Sequence, residues 1–277
     1  TYKLGNKYGL PEGQWLRYDN RYYEEQYLTW AEGCGWDDCN KSHGNYEDDS
    51  QMCWAASASN VVSWWMCMNK EYLAAYDVDS VSYTHLRAHE TVNRSEVFQF
   101  FKDHFPNFGN DDPKGVEWFF TGAYLGGDIN GFKGFLPEVF TKNNALTARS
   151  SHKPDREQFN TFVTDALLNK RAIGLNVFDV AGPKTAWGVE YDEAGDIAYI
   201  YYCDNNFAEQ DPNGAVIIRQ QIVYAVDDYG NECTYLQQLK PEDPDTRVGK
   251  FLITSVFSAD LGRDIWKSKY PNVVVEK

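Results

Sequence analysis

The chain has 277 residues, 43% hydrophobic and 24% charged, which fits one large globular domain or two small ones around a substantial core. Nine Trp, nineteen Tyr and a 16% aromatic share exclude a disordered chain. Forty-one acidic side chains against twenty-six basic ones leave a net charge of −15, too acidic for a binder of nucleic acid or anionic membranes, and no run approaches the roughly eighteen apolar residues of a membrane-spanning helix. The start at Thr1, with no Met and no signal-peptide pattern, reads as a processed mature form or a fragment.

Residues 1–50, rich in Tyr, Gly, Asn and Asp, show little periodicity and read as extended segments and loops. The first strong element follows Asp48-Asp49-Ser50-Gln51-Met52-Cys53. Asp49 or Ser50 suits a helix N-cap, and Trp54, Ala58, Val61 and Trp65 recur at helical spacing through to Lys70. Stretch 81–91 resembles the translated product of a transposase sequencing adapter. It is set aside from fold reasoning as an artefact, so that His85 and His89 carry no chemistry. Further helices are predicted over 95–105, near 115–120 and over 155–169. Beyond Arg171 the pattern turns to Val, Ile, Tyr and Phe. It predicts strands over 172–180, 185–191, 197–203, 215–226, 234–239 and 249–258, with a hairpin turn at Glu193-Ala194-Gly195-Asp196. Helices first and an antiparallel sheet second make an α+β arrangement.

The six cysteines are Cys34, Cys39, Cys53, Cys67, Cys203 and Cys233, too sparse for a disulfide scaffold and without the paired CxxC spacing of a zinc site. Cys34 and Cys39 are close enough to bridge a short loop, which is compatible with an oxidising compartment. Cys53, in the first turn of the predicted helix, has the unpaired N–H groups and helix dipole that suit a nucleophile, although a buried helix also carries Cys as a small apolar residue. Cys67, far along the same helix, reads as apolar filling. A Cys nucleophile needs a base, and the base an orienting partner. Asp204 closes the apolar strand Tyr199-Ile200-Tyr201-Tyr202-Cys203 and suits the orienting role, or that of a solvated strand-end Asp.

At this point a resemblance emerges. Asp49-Ser50-Gln51-Met52-Cys53-Trp54-Ala55-Ala56-Ser57-Ala58-Ser59-Asn60, followed by Trp64-Trp65, resembles the nucleophile helix of the immunoglobulin-G-degrading cysteine endopeptidases of IdeS/Mac type. Gly35-Trp36-Asp37-Asp38-Cys39-Asn40-Lys41 is similar to that family's Lys-bearing segment. Gly115-Val116-Glu117-Trp118-Phe119-Phe120-Thr121-Gly122, Gly134-Phe135, Ala172-Ile173-Gly174-Leu175, Ala186-Trp187-Gly188-Val189-Glu190-Tyr191-Asp192, Tyr202-Cys203-Asp204 and the end 251–266 follow in the family's order. The resemblance covers roughly 25–266 and implies one papain-like α+β catalytic domain. Its N-terminal helical part, about 25–170, would lay the nucleophile helix on a C-terminal antiparallel sheet, about 171–266.

Carried over, the resemblance implies Cys53 as nucleophile, its backbone N–H in the oxyanion hole, Lys41 beside that hole and Asp204 as orienter of the catalytic His. The Lys-to-Cys spacing is two residues longer than the family's, and Asn206 stands where a second family Asp is usual. The base departs: the family's His falls on Gly182, five residues before Trp187, and Gly accepts no proton. General acid–base catalysis contributes about 10²–10⁴-fold, so the chain as written is expected to be weakly active or inactive. His43, His104, His152 and Lys184 are poor substitutes, being loop, surface or protonated groups. The resemblance further implies a secreted or cell-surface bacterial protein, a protein substrate with immunoglobulin G foremost, and no metal or organic cofactor. Two other readings stand: an inactive relative that binds protein as a decoy, and a carbohydrate binder resting on Tyr18, Tyr22, Tyr23 and Tyr27.

Overall fold

The computed structural model describes residues 10–11, 13–41, 48–79, 95–127, 131–178, 182–205, 216–240 and 243–275. The adapter-like stretch 81–91, with His85 and His89, lies outside the described residues, as do His43 and Asn206. In chain order the elements are β1 (Gln14–Tyr18), β2 (Arg21–Tyr27), α1 (Cys53–Met68), α2 (Lys70–Asp79), α3 (Glu96–His104), α4 (Asp112–Thr121), β3 (Thr147–Arg149), α5 (Arg156–Leu168), β4 (Ala172–Val177), β5 (Gly182–Tyr191), β6 (Ile197–Cys203), β7 (Ile218–Val226), β8 (Glu232–Lys240), β9 (Asp243–Ala259) and α6 (Arg263–Lys269). They fall into two compact units, one of 1–29, 149–203 and 217–258, the other of 30–148, 204–216 and 259–277.

The expected papain-like α+β fold, a nucleophile helix laid on a C-terminal sheet, is not what forms. The β structure is a largely closed antiparallel barrel within a nine-stranded sheet, and the six helices among the described residues are short. Strand β5 is the pivot. One of its edges pairs with β6 in the register Thr185↔Cys203 to Tyr191↔Ile197; the other is shared by β4, at Val177↔Gly182, and β2, at Glu24↔Tyr191. From β4 the path runs through β9, β8 and β7 to β6, and β6 returns to β5. A closed ring leaves few open strand edges. The sheet is also not confined to the C-terminal half: β1 and β2, from the stretch read as loops, form a hairpin added to β5. Its two-residue turn holds Asp19 and Asn20 at φ 51° and 58°, the left-handed pair that matches the twist of a tight hairpin.

Alternation of side chains fills the barrel unit's core with Trp187, Val189, Tyr191, Ile200, Ile253 and Phe257, all essentially unexposed. Gly174 makes room for one of them, since a Cβ there would lie 1.8 Å from the Phe257 ring. Helix α5 carries a capping box of Asp155 and Gln158 and is tied to strands of its own unit: Asn160 receives Ile197 N–H at 2.7 Å, and Thr164 pairs with the Tyr191 hydroxyl at 2.6 Å. On another face Glu190, fully buried, takes two 2.8 Å bonds from Arg219 and the hydroxyls of Tyr18 and Tyr201. That single carboxylate links β1, β5, β6 and β7.

In the helical unit α1 is buried along almost its whole length. Trp54 meets Phe101 and Phe105 edge-on at 5.5 and 5.3 Å, and Trp65 lies 4.0 Å from the Phe120 ring. The helix begins at Cys53 with Met52 as N-cap. The expected cap at Asp49 or Ser50 does not form, because Met52 N–H bonds Asp49 O at 2.9 Å and folds 49–52 into a turn ahead of the helix. Helices α3, α4 and α5 start behind the side chains of Ser95, Asp111 and Asp155. Cys34 bonds Cys67 rather than Cys39, so Cys67 is half of a disulfide and not apolar filling.

Candidate active site

The nucleophile candidate Cys53 is the first residue of α1 and is half-buried. The N-cap Met52 offers no side-chain cap, and Cys53 N–H lies in the first turn, where amides have no intrahelical partner. The carbonyl of Met52 receives Ala55 and Ala56 N–H at 3.1 Å each, which closes the first turn.

Lys41 reaches this sulfur. It is 4% exposed, and its ammonium donates to Ser50 O at 2.8 Å and to Cys53 Sγ at 2.9 Å. An ammonium at that distance makes a charge-assisted bond with an ionised sulfur, and it is also a cation beside the first-turn N–H groups. The backbone that carries Lys41 is fastened on both sides. Cys39 N–H donates to Asn60 Oδ1 of α1 at 2.8 Å, and Lys41 N–H donates to Asn205 O at 2.9 Å.

Asp204 follows directly after β6 and is half-buried. Its charge is felt at Asp38, whose buried carboxyl is pushed up to about 6, first by desolvation and then, after two hydrogen bonds that pull the other way, by Asp204. The neighbouring Asp37 is pushed up to about 7 by burial. Asp204, Lys41 and Cys53 all belong to the helical unit. Gly182 belongs to the barrel unit, where it opens β5 opposite Val177 with φ at +57°. Lys184, two residues on, is 1% exposed with its Nζ 5.2 Å from the Tyr202 ring. His104 is half-buried rather than a surface group: its Nδ1 lies 2.8 Å from Phe100 O and its ring packs on Phe100. His152 is exposed.

Two residues that sequence reasoning did not single out sit at the same place. Asn205, 4% exposed, donates from Nδ2 to Cys53 O at 3.3 Å, and Asp38, 6% exposed, receives Val216 N–H at 2.9 Å. Asp38 lies three positions before Lys41, but its partner is 178 positions away, so no local pattern marks it. Among the described residues no three His, Cys, Asp or Glu side chains are grouped to hold a metal, and no helix is long and apolar enough to cross a membrane.

Comparison with known proteins bears on this arrangement. An IgM protease of Streptococcus suis (strain P1/7) is 26% identical to the chain over 274 residues. The alignment takes in 86% of the chain and 22% of that relative, so the chain spans about a fifth of its length. A protein-family model described as Mac 1 matches residues 17–231, a stretch that holds Lys41, Cys53, Gly182 and Asp204. By that match over most of its length, the chain belongs to the Mac-1 family.

Proposed function

We propose that the chain is a cysteine-endopeptidase module directed at immunoglobulin, impaired as written because Gly182 occupies the position of its base. The observation that carries this reading is the 2.9 Å contact between the Lys41 ammonium and Cys53 Sγ at an uncapped helix start. The Cys53 sulfur attacks the peptide carbonyl carbon. The carbonyl oxygen becomes an oxyanion taken by the Cys53 N–H, with the Lys41 ammonium beside it. Collapse of that intermediate expels an amine that must gain a proton, and in such enzymes an imidazole held by a carboxylate supplies it. Asp204 is the carboxylate for that role; at Gly182 there is no ring to hold. Immunoglobulin as the substrate is supported by the Mac-1 membership and by the name of the Streptococcus suis relative, with G and M as the classes to compare. An extracellular setting is supported by the Cys34–Cys67 disulfide.

Gly182 itself favours a second reading, in which the module holds immunoglobulin without cutting it. One experiment separates the two. Immunoglobulin G and immunoglobulin M are each incubated with the chain, with Gly182→His and with Cys53→Ala, in the presence and absence of added imidazole, and fragments are followed. Because the left-handed backbone at Gly182 costs a His roughly 1 kcal/mol, free imidazole is an independent route to the missing base. Cleavage by Gly182→His, or by the chain with imidazole, that is lost in Cys53→Ala is the expected result. Binding without cleavage in every arm would replace the protease reading with the binding one. Neither binding nor cleavage would reject both.

A further inference from the structure

A lysine holds a catalytic sulfur only if its backbone is fixed. Its side chain has four rotatable bonds to order, so a 2.9 Å Nζ–Sγ contact persists only where the main chain presents the ammonium from one place. What fixes this backbone is visible around 38–41. Cys39 N–H is bound to Asn60 in the middle of α1, and Asp38 and Lys41, on either side of Cys39–Asn40, each bond a residue beyond β6. Lys41 N–H donates to Asn205 O, and Asp38 Oδ2 accepts Val216 N–H, both at 2.9 Å. Asn205 then closes the loop of contacts by donating from Nδ2 to Cys53 O. One residue thereby touches the backbone of the lysine and the backbone of the cysteine.

We infer that Asn205 and Asp38 are positioning residues: Asn205 sets the distance between Lys41 and Cys53, and Asp38 ties the backbone just ahead of Lys41 to Val216. Neither touches the sulfur, and neither exchanges a proton in the reaction. Their side chains are 4% and 6% exposed, so a lost bond leaves a buried group unmatched and the local backbone moves to relieve it. The inference concerns the site proposed above for peptide-bond cleavage, but it needs only that Lys41 and Cys53 work as a pair.

The test reads the sulfur directly, without a substrate. Iodoacetamide is added to the folded chain at pH 7, where the Cys53 sulfur displaces iodide and forms a carbon–sulfur bond. The second-order rate is followed by mass spectrometry of the Cys53 peptide. Cys39, Cys203 and Cys233 are buried and serve as internal controls. Lys41→Ala is expected to slow alkylation, and Asn205→Ala and Asp38→Ala to slow it roughly three- to tenfold. The decisive arm is the double variant: Lys41→Ala with Asn205→Ala reacts no more slowly than Lys41→Ala alone, because Asn205 acts through the lysine. Asp38→Asn, which keeps an oxygen to receive Val216 N–H, retains the parent rate.

Asn205→Asp, equal in size but without the donor, repeats the Asn205 arm if the alanine variant loses its cooperative melt. Additive effects in the double variant, an unchanged rate in Asn205→Ala and Asn205→Asp, or no effect of Lys41→Ala would each overturn the inference. A coupled alkylation rate together with uncut immunoglobulin would leave the positioning roles standing and remove only the protease reading.

Discussion

Asp38 receives Val216 N–H on one carboxylate oxygen and is buried, 6% exposed. Burial, with the charge of Asp204 adding to it, raises its pKa from 3.8 to about 6. Between those two values the folded chain keeps a proton that the unfolded chain has released. The stability from this group is therefore fully present below about pH 4 and is lost as pH rises through 6, an effect of at most about 3 kcal/mol. Asp37, raised to about 7 by burial, acts in the same direction. The melting temperature is expected to be higher at pH 5 than at pH 7.5. Asp38→Asn should raise the value at pH 7.5 and shrink that difference; an unchanged slope in the variant would show that Asp38 does not bury its charge. Gly182 makes a second case at this scale. Its φ of +57° disfavours a Cβ by about 1–2 kcal/mol, partly offset by the lower unfolded-state entropy of alanine, so Gly182→Ala should lose about 1 kcal/mol in urea titration. A variant as stable as the parent would place that residue in ordinary extended backbone. Cys53 was marked as a candidate by its place in the first turn of a helix, and Lys41 by the resemblance alone. Asn205 and Asp38 were not, because what they do depends on chain segments that meet only after folding.

Elements with their own punctuation were read closely. Ser95, Asp111 and Asp155 cap α3, α4 and α5 within a residue or a few of where the periodicity starts, and β6 runs over the 197–203 expected from its apolar residues. The hairpin β1–β2 escaped because its strands carry charged and aromatic residues on both faces, Arg21-Tyr22-Tyr23-Glu24-Glu25-Gln26-Tyr27, which hides the two-residue period. Closure of the barrel escaped for a different reason. It rests on β4 meeting β9, and strand pairing across such a separation has no signature in a local window. The Cys34–Cys67 bond joins the loop ahead of Lys41 to the last turn of α1 over a separation of 33 residues. Closing a loop of that size in the unfolded chain corresponds to about 3–4 kcal/mol on a chain-entropy account. Cys34→Ser with Cys67→Ser should lower stability by that order, measured by urea unfolding without reductant. A loss below about 1 kcal/mol would show that the α1 packing of Trp54 and Trp65 alone holds the helical unit's entry loop. The same bond bears on any activity assay, because a reductant strong enough to keep Cys53 free also attacks Cys34–Cys67.

Over the whole chain the balance of charge is the dominant long-range fact. Forty-one carboxylates face twenty-six cations, for a net −15 and a pI near 4.7. Among the described residues Arg219 pairs with Glu190, a carboxylate at 0% exposure. The remaining excess of negative charge repels itself across a folded surface much more than along an expanded unfolded chain, and this lowers stability at low ionic strength. Screening then has a sign that can be stated. Going from 10 mM to 150 mM salt shortens the Debye length from about 30 Å to about 8 Å, which removes repulsion between distant carboxylates. The Arg219–Glu190 contact at 2.8 Å has its carboxylate fully buried and is weakened less than the distant repulsions. The melting temperature should therefore rise by a few degrees over that interval at pH 7.5 and flatten beyond it. At pH 5, close to the pI, the same salt step should have little effect. A melting temperature that falls with salt at pH 7.5 would mean that favourable surface ion pairs, such as Arg156 with Asp196 and Glu232, outweigh the net repulsion. The net charge would then say nothing about how stably this chain folds.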